Sequence, residues 1–186
     1  MIGYAFCGSF CTLSSSLAVL RELIKTEQDI LPIMSEAVYS TDTRFWGADI
    51  FREEVEKLCS RTAVHTIKDA EPLGPKTVLD ALIIAPCTGN TLAKLANGIT
   101  DTAVTMAAKA HLRSDRPLLI ALASNDALSA NLKNIATLLQ RKSVFFVPLK
   151  QDDPQNKPHS LVCDFSLLQQ SYEKMKVGRQ SVPLFL

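Results

Sequence analysis

The sequence predicts a single doubly wound α/β domain with a mainly parallel sheet, and two observations support this prediction. Short, continuously apolar runs alternate with longer segments whose apolar residues recur at helical spacing. Strands that are apolar on both faces and are joined by helices belong to parallel sheets covered on both sides. No internal repeat, linker or change in composition divides the 186 residues. We therefore expect one domain over 1–186, in which 151–186 form a C-terminal loop and helix.

Five apolar runs are predicted to form the strands. Each run is bounded by polar or turn-forming residues, as isolated strands are. The runs are 2–7, 30–34, 81–85, 118–123 and 144–147. A weaker run over 63–67 is the candidate for a sixth, short strand.

Helical spacing of apolar residues predicts the segments that connect these strands. The segments are 13–24, 51–58, 92–111 with an interruption near Gly98, 130–140 and 165–175. Polar or proline-containing loops are predicted over 40–44, 71–75 and 151–158.

Charge and cysteine content exclude several classes of protein. Lys and Arg number 20 against 19 Asp and Glu, so the chain has no net field that would attract nucleic acid or anionic lipid. No apolar run approaches the roughly 20 residues that span a bilayer, and no basic segment follows Met1. The five cysteines include no Cys-x-x-Cys pair, and Cys7 and Cys11 lack a second pair that would complete a metal site. We therefore expect a cytoplasmic protein without a metal.

Small polar residues follow four of the predicted strands. They are Gly8-Ser9, Ser35, Thr88-Gly89-Asn90-Thr91 and Ser124-Asn125-Asp126. Because the carboxyl ends of parallel strands meet at one edge, where open α/β sheets bind ligands, we expect these residues to line one crevice. Polar caps also occur at ordinary turns between strands and helices, and the sequence leaves that alternative open.

The turn after the first strand is a candidate anion site. Gly8 permits close approach of the backbone, the next helix offers unpaired N–H groups, and Ser9 and Thr12 add hydroxyls. The turn has neither the GxGxxG spacing nor the GK[ST] ending of a P-loop, and Ser35 stands where NAD-binding domains carry an acid. We expect phosphate recognition without a lysine. The alternative is a tight turn in which Ser9 only caps the helix.

The segment after the third strand resembles a flavoprotein motif. Its pattern is Pro86-x-x-x-Asn90-Thr91-x-x-Lys94-x-Ala96-x-Gly98-x-x-Asp101. This is similar to the PASANT signature of the homo-oligomeric flavin-containing cysteine decarboxylases. Gly8-Ser9 is similar to that family's turn for the FMN phosphate, and Asn125 stands at the Asn of its PxMN motif. The resemblance covers roughly 2–150. It implies a Rossmann-like, flavoprotein-type fold, bound FMN, and assembly into trimers or multiples of them.

The chain departs from the decarboxylases at two places. Leu122 and Ser124 replace the Pro and Met of PxMN, and Asp69-Ala70-Glu71-Pro72 occupies the stretch where those enzymes carry a catalytic His. The nearest histidine, His65, lies several residues too early, and we interpret it as structural. Cysteine decarboxylase activity is therefore not expected.

Other segments resemble the B-subunit family of dipicolinate synthases, over nearly the whole chain. They are 40–45, 70–76, 125–128, 145–148 and 151–154. The resemblance implies a protein that acts with a nicotinamide-binding A subunit, on which NAD(P) is expected, in the mother cell of a sporulating bacterium. The implied reaction oxidises a dihydrodipicolinate-type intermediate of the lysine pathway to pyridine-2,6-dicarboxylate.

A dicarboxylate substrate needs cations near the crevice. Arg44 is the leading candidate, because its loop follows the second strand at the ligand edge and a guanidinium can bind a carboxylate through two hydrogen bonds. Asp126 is a further candidate for substrate binding. Lys76, Lys109 and Arg113 are weaker candidates.

The sequence does not assign a catalytic acid or base. Asp101, Asp126 and His65 could transfer protons, but no spacing distinguishes them. Asp101 alternatively caps the helix that follows it.

Two other functions remain open from the sequence alone. One is a free-standing FMN enzyme of the decarboxylase or flavin prenyltransferase type. The other is a non-catalytic scaffold that keeps the flavoprotein fold and binds only a partner or a ligand.

Overall fold

The computed structural model describes residues 1–27, 29–74 and 76–186. In these ranges the strands are β1 (Ile2–Phe6), β2 (Ile30–Met34), β3 (Ala81–Thr88), β4 (Leu118–Ser124), β5 (Val144–Phe146), β6 (Leu149–Lys150) and β7 (Leu161–Cys163). The helices are α1 (Leu13–Leu23), α2 (Glu36–Ser40), α3 (Ala48–Cys59), α4 (Ile67–Ala70), α5 (Gly89–Asn97), α6 (Ala103–Leu112), α7 (Leu132–Leu139) and α8 (Leu168–Lys176). Short 3-10 helices, Phe10–Thr12 and Phe165–Leu167, lead into α1 and α8.

The sheet confirms the predicted doubly wound architecture. Its parallel part has the order β2-β1-β3-β4-β5. The chain leaves β1 toward β2 and later returns to β3 on the other side of β1. The strand order therefore reverses between β1 and β3, and the connections after these two strands diverge. Doubly wound sheets bind ligands in the crevice at such a switch point.

Helices cover both faces of the sheet. On one face the Tyr4 hydroxyl bonds to Ser16 on α1, and the rings of Phe6 and Phe51 meet edge to face with 5.2 Å between centroids. On the other face α5, α6 and α7 pack against β3, β4 and β5. The residues of β1, β2 and β4 are buried throughout. This two-sided burial explains why the strands read as unbroken apolar runs.

The third strand is longer than predicted. It continues past Ala85 to Thr88, so α5 begins at Gly89 instead of residue 92. A bulge shifts its register against β4 between Ile84 and Cys87. Proline cannot donate a ladder hydrogen bond, and the bulge gives Pro86 a place within the strand. Its carbonyl accepts a bond from Cys7 N at 3.1 Å.

The prediction of a strand over 63–67 is wrong. Val64 makes an isolated parallel bridge to Ile33, and the helix α4 begins at Ile67. The Thr66 side chain accepts a hydrogen bond from Asp69 N and caps this helix. Local capping therefore prevents the apolar run from extending along β2.

The predicted interruption near Gly98 is confirmed. Gly98 adopts a φ of 71° at the end of α5, a left-handed conformation that glycine reaches at little cost. The helix α6 starts five residues later with Thr102 as its N-cap.

The C-terminal region contains two strands that the sequence did not predict. β7 pairs antiparallel with Ala123 and Ser124 at the end of β4, and β6 pairs antiparallel with β7. Segments of two or three residues are too short to show a period, so pattern analysis assigns them to a loop. Pro75, part of the predicted loop over 71–75, lies outside the described residues. Over the described ranges, no helix has the length and apolar character needed to cross a membrane.

Candidate functional site

The connection after β1 presents the first turn of a helix to the switch point. Phe10–Thr12 runs directly into α1, so the first N–H groups of this helical segment have no partner within it. Ser9 makes no capping bond with its side chain, which argues against the simple-cap alternative. Thr12 Oγ1 donates to Ser9 O at 2.9 Å and to Ser9 Oγ at 3.0 Å. Thr12 carries one hydroxyl proton, which these two acceptors share, and the two contacts orient the Ser9 side chain.

Packing within the chain does not require glycine at position 8. A Cβ added to Gly8 would lie 3.4 Å from Ala37 Cβ and 3.5 Å from the Phe10 ring, which are ordinary contacts. If the backbone at Gly8 makes a close approach, it is therefore to a ligand and not to another part of the chain. That approach stays a prediction.

Hydrogen bonds between side chains join the ends of β1 and β3. Thr88 Oγ1 accepts a bond from Thr91 N at 3.2 Å and donates to Thr91 Oγ1 at 3.1 Å. Thr91 Oγ1 in turn donates to Cys7 Sγ at 3.4 Å. Thr88 and Thr91 thus hold the two walls of the switch point together. Asn90, between them, is exposed and is the motif side chain best placed to meet a ligand.

Gly89 lies where any side chain would collide with a polar network at the end of β4. An added Cβ would stand 2.5 Å from Ser124 Oγ, 2.7 Å from Asn131 Nδ2 and 2.9 Å from Asp126 Oδ1. These groups bond to one another, since Ser124 Oγ and Asn131 Nδ2 both donate to Asp126 Oδ1, the latter at 2.9 Å. Glycine is required here because only hydrogen fits beside the network.

Asp126 has a positioning role in this network. Hydrogen bonds from Ser124 and Asn131 hold the pKa of Asp126 below its usual range. A carboxyl group that remains ionised at neutral pH is a poor proton donor, which argues against Asp126 as a general acid. A contact between Asp126 and substrate stays a prediction.

Beside this network, a groove of about 440 Å³ lies between the starts of α5 and α7. It is lined by Gly89, Asn90, Ala93, Asn97, Asp126, Ala130, Asn131, Lys133 and Asn134. Asn134 Nδ2 donates to Asn131 Oδ1 at 2.8 Å, and both residues are buried. This pair was not predicted from the sequence, although two asparagines one helical turn apart at the start of an apolar helix were the available signal. Asn125 is exposed at the end of β4 and does not line the groove.

Ser35, at the end of β2, has a buried hydroxyl with no hydrogen-bond partner among the described residues. Its side chain does not cap α2, and its N–H donates to Phe6 O at 2.9 Å, which places Ser35 beside the end of β1. An unpaired buried hydroxyl costs about 1–3 kcal/mol. A polar ligand atom in the crevice would remove that cost.

Arg44 lies in the loop between α2 and α3, which follows β2 at the same edge of the sheet. Trp46 Nε1 donates to Ser14 Oγ at 3.0 Å and Asp42 Oδ1 accepts from Ala48 N at 2.8 Å, so the loop is anchored on α1 and α3. The Arg44 guanidinium is exposed, 4.8 Å from the centre of the Phe45 ring, and forms no ion pair with the described residues. It is therefore available to a carboxylate.

His65 forms part of a stack of side chains beside β2. Its ring lies parallel to the Tyr39 ring with 3.7 Å between centroids, and the Arg52 guanidinium lies 4.7 Å from the Tyr39 ring. This packing favours the structural interpretation of His65.

The remaining charged candidates lie away from the crevice. Lys94 pairs with Asp101 at 2.8 Å, and this partner holds the pKa of Asp101 below its usual range. The prediction that Asp101 caps the next helix is wrong, because Thr102 and Thr105 form its capping box. Lys109 and Arg113 line a cavity at the opposite, amino edge of the sheet, and Lys76 belongs to the loop before β3.

Four of the five cysteines are buried and protonated. Burial raises the pKa of Cys7 to about 11 and that of Cys59 to about 12. It also raises the pKa of Cys87 and of Cys163. Cys87 is therefore not a nucleophile, although it belongs to the flavoprotein motif.

We expect a disulfide reagent such as DTNB to modify one thiol per folded chain, that of the exposed Cys11. After unfolding in guanidinium, all five cysteines should react. Counting the released thiolate gives the number, and mass spectrometry of peptides gives the position. Rapid modification of Cys7 or Cys87 in the folded protein would contradict their burial.

The fold and the switch point define the class of protein. A sequence model of the Flavoprotein family matches residues 1–174, and the chain belongs to that family. Within it, the chain belongs to the family of dipicolinate synthase B subunits, since it is 40% identical over 185 residues to the B subunit of the dipicolinate synthase of Bacillus subtilis (strain 168). That match covers 100% of this chain and 92% of the relative.

Solved structures agree with this assignment. The crystal structure of the dipicolinate synthase B subunit from Bacillus halodurans matches with a TM-score of 0.89 and 36% identity, over 100% of this chain and 95% of that chain. A dodecameric FMN-dependent decarboxylase from Escherichia coli O157:H7 shares the fold, with a TM-score of 0.64 and 22% identity over 79% of each chain.

Proposed function

We propose that this chain is the B subunit of a dipicolinate synthase. With a nicotinamide-binding A subunit, it would help to oxidise a dihydrodipicolinate-type intermediate to pyridine-2,6-dicarboxylate during sporulation. The observation that carries the proposal is the 40% identity to the corresponding chain of a dipicolinate synthase over the whole length. The exposed Arg44 guanidinium at the ligand edge, which has no ion-pair partner in the part of the chain that the structure describes, supports a substrate with carboxylates.

The switch point fits FMN on the chemistry of its own groups. The helical N–H groups after Gly8 and the hydroxyl of Ser9 suit the phosphate. The buried hydroxyl of Ser35 has no hydrogen-bond partner within 1–27, 29–74 and 76–186, and a polar atom of the cofactor would supply one. Asn90 is exposed at the start of α5 and offers an amide there, where it also lines the groove beside Asp126. When bound, FMN supplies reversible hydride and electron transfer; the chain's residues hold and orient it.

The proposed role of Arg44 is to orient the substrate. A planar guanidinium can bind one carboxylate through two parallel bonds, which fixes the plane of the substrate as well as its position. The anchored Trp46 and Asp42 contacts keep the loop that carries Arg44 in place. NAD(P) is expected on the A subunit.

We also propose that the chain assembles with copies of itself, in trimers or multiples of them. The dodecameric state named for the decarboxylase of Escherichia coli O157:H7 supports this expectation, and closed symmetry is general for homo-oligomers. Light scattering of the purified chain at micromolar concentration measures it, and a 20.4 kDa species alone would count against it.

The proposed function is tested by steady-state dipicolinate synthesis with the reconstituted pair of subunits. Arg44→Lys should lower kcat/KM by roughly 10- to 150-fold, because the loss of a charge-assisted contact costs about 1.5–3 kcal/mol and Lys cannot form the planar pair. His65→Ala serves as the comparison, since its ring packs on Tyr39 and we expect most activity to remain.

Four outcomes would contradict parts of the proposal. If the wild-type pair forms no dipicolinate, the proposed reaction is wrong. If Arg44→Lys is as active as the wild type, Arg44 does not bind a substrate carboxylate. Synthesis by this chain without the A subunit would favour a free-standing enzyme. A visible spectrum without flavin after reconstitution with FMN would favour the scaffold alternative.

A further inference from the structure

A second cavity, of about 540 Å³, lies at the amino edge of the sheet, opposite the switch point. Its walls are the end of α5, one side of α6 and the loops that precede β4 and β5. It is lined by Leu95, Gly98, Ile99, Thr100, Thr105, Lys109, Leu112, Arg113, Asp115, Arg141, Lys142 and Ser143. The volume is that of a site for a small molecule, for which about 300–1,000 Å³ is usual.

The cavity concentrates positive charge. Two cations, Lys109 and Arg113, come from the α6 side, and Arg141 with Lys142 come from the loop before β5. None of the four forms an ion pair with the described residues, and Asp115 is the one carboxylate in the lining. In a chain whose total charge is +1, this is a local excess that attracts anions.

Two hydrogen bonds hold the loops that carry these cations. Ser143 Oγ donates to Asp115 O at 2.9 Å, and Leu118 N donates to Ser143 O at 2.8 Å. The cations of the two walls therefore face one cavity from a fixed pair of loops.

The floor of the cavity is apolar. Leu95 is buried beneath it, Leu112 is half-buried, and Ile99 is 47% exposed although it is a large aliphatic residue. An inorganic anion has no apolar surface to bury against such a floor, whereas a flat aromatic ring has. Cations on two separate walls favour a ligand with more than one anionic group.

We propose that this cavity binds a small aromatic or heteroaromatic acid with two or more negative charges, its ring on the floor of Leu95, Ile99 and Leu112 and its carboxylates toward the two cationic walls. The proposal does not rest on the reaction assigned above, because it follows from this cavity alone. The product of that reaction has this chemistry, which makes pyridine-2,6-dicarboxylate the natural first probe.

Calorimetric titration of the full chain with both Ser9→Asp and Arg44→Gln tests the proposal, because these two changes disable the anion site and the carboxylate contact proposed for the crevice. The probes are pyridine-2,6-dicarboxylate, benzene-1,3-dicarboxylate, uncharged pyridine and inorganic phosphate. We expect both dicarboxylates to bind at one site per chain. Pyridine and phosphate should bind at least tenfold more weakly than either dicarboxylate. Added salt should weaken the binding, because the cations are exposed.

Adding Arg113→Gln and Arg141→Gln together should raise the Kd of both dicarboxylates at least tenfold, since each change removes a charge-assisted contact. Arg179→Gln, which removes an exposed arginine outside the cavity, is the matched control and should leave the Kd unchanged. The proposal is overturned if neither dicarboxylate binds at millimolar concentration, if the double change has no effect, or if phosphate binds as tightly as the dicarboxylates.

Discussion

A Ser9→Asp variant is expected to lose FMN binding while keeping its fold. The new carboxylate would stand beside the helical N–H groups proposed to hold the phosphate. Two unit charges about 4 Å apart repel by roughly 4 kcal/mol at an effective dielectric constant of about 20, which corresponds to nearly a thousandfold in Kd. Titration of the purified chain with FMN, followed by flavin fluorescence, measures this effect.

The matched control for Ser9→Asp is Ser15→Asp. Ser15 is exposed on α1, further along the same helical segment, so its substitution adds the same charge away from the first turn. It should change the Kd for FMN only slightly. Equal FMN affinity in wild type and Ser9→Asp would refute the phosphate site.

A Gly89→Ala substitution is expected to destabilise the protein, because its Cβ would enter the space occupied by Ser124 Oγ and the Asn131 amide. Overpacking of this kind costs about 1–3 kcal/mol of the free energy of unfolding. For a domain of this length, each kcal/mol lowers Tm by about 2–4 °C. Thermal unfolding followed by circular dichroism, without added flavin, is the measurement.

Two further variants make the Gly89 prediction specific. Gly8→Ala adds the same methyl group where the nearest atom is 3.4 Å away, so its Tm should stay close to that of the wild type. In the Gly89→Ala background, Ser124→Ala removes the atom nearest to the new Cβ and should recover part of the lost stability. If Gly8→Ala and Gly89→Ala unfold at the same temperature, the network does not require a glycine.

The main parallel strands and the edge that carries the site could be predicted from the sequence, because both depend on local patterns. Because the strands are buried on both faces, their residues form unbroken apolar runs over 2–7 and 118–123, and polar residues follow where the strands end. The third strand was predicted too short because proline is normally read as a terminator, and only the pairing with β4 reveals the bulge at Pro86.

The roles of individual site residues depended on contacts distant in sequence. Thr91 meets Cys7 across 84 positions, and Gly89 meets Asn131 through packing alone. Neither contact has a local pattern. The three-residue spacing of Asn131 and Asn134 is visible in the sequence. Only the structure shows that both are buried and that they form a hydrogen bond with each other.

On the side away from β3, β4 pairs with two strands, β5 and β7, and these two strands are synthesised at different times. β5 pairs with the first part of β4, while Ala123 and Ser124 pair with β7. β7, which contains Leu161 and Val162, is the last strand to be synthesised. Until then, the backbone of Ala123 and Ser124, beside Gly89, has no strand to pair with on this side. A chain truncated before residue 160 is therefore expected to leave the Ala123 and Ser124 backbone unpaired and to self-associate through this edge more readily than the full chain.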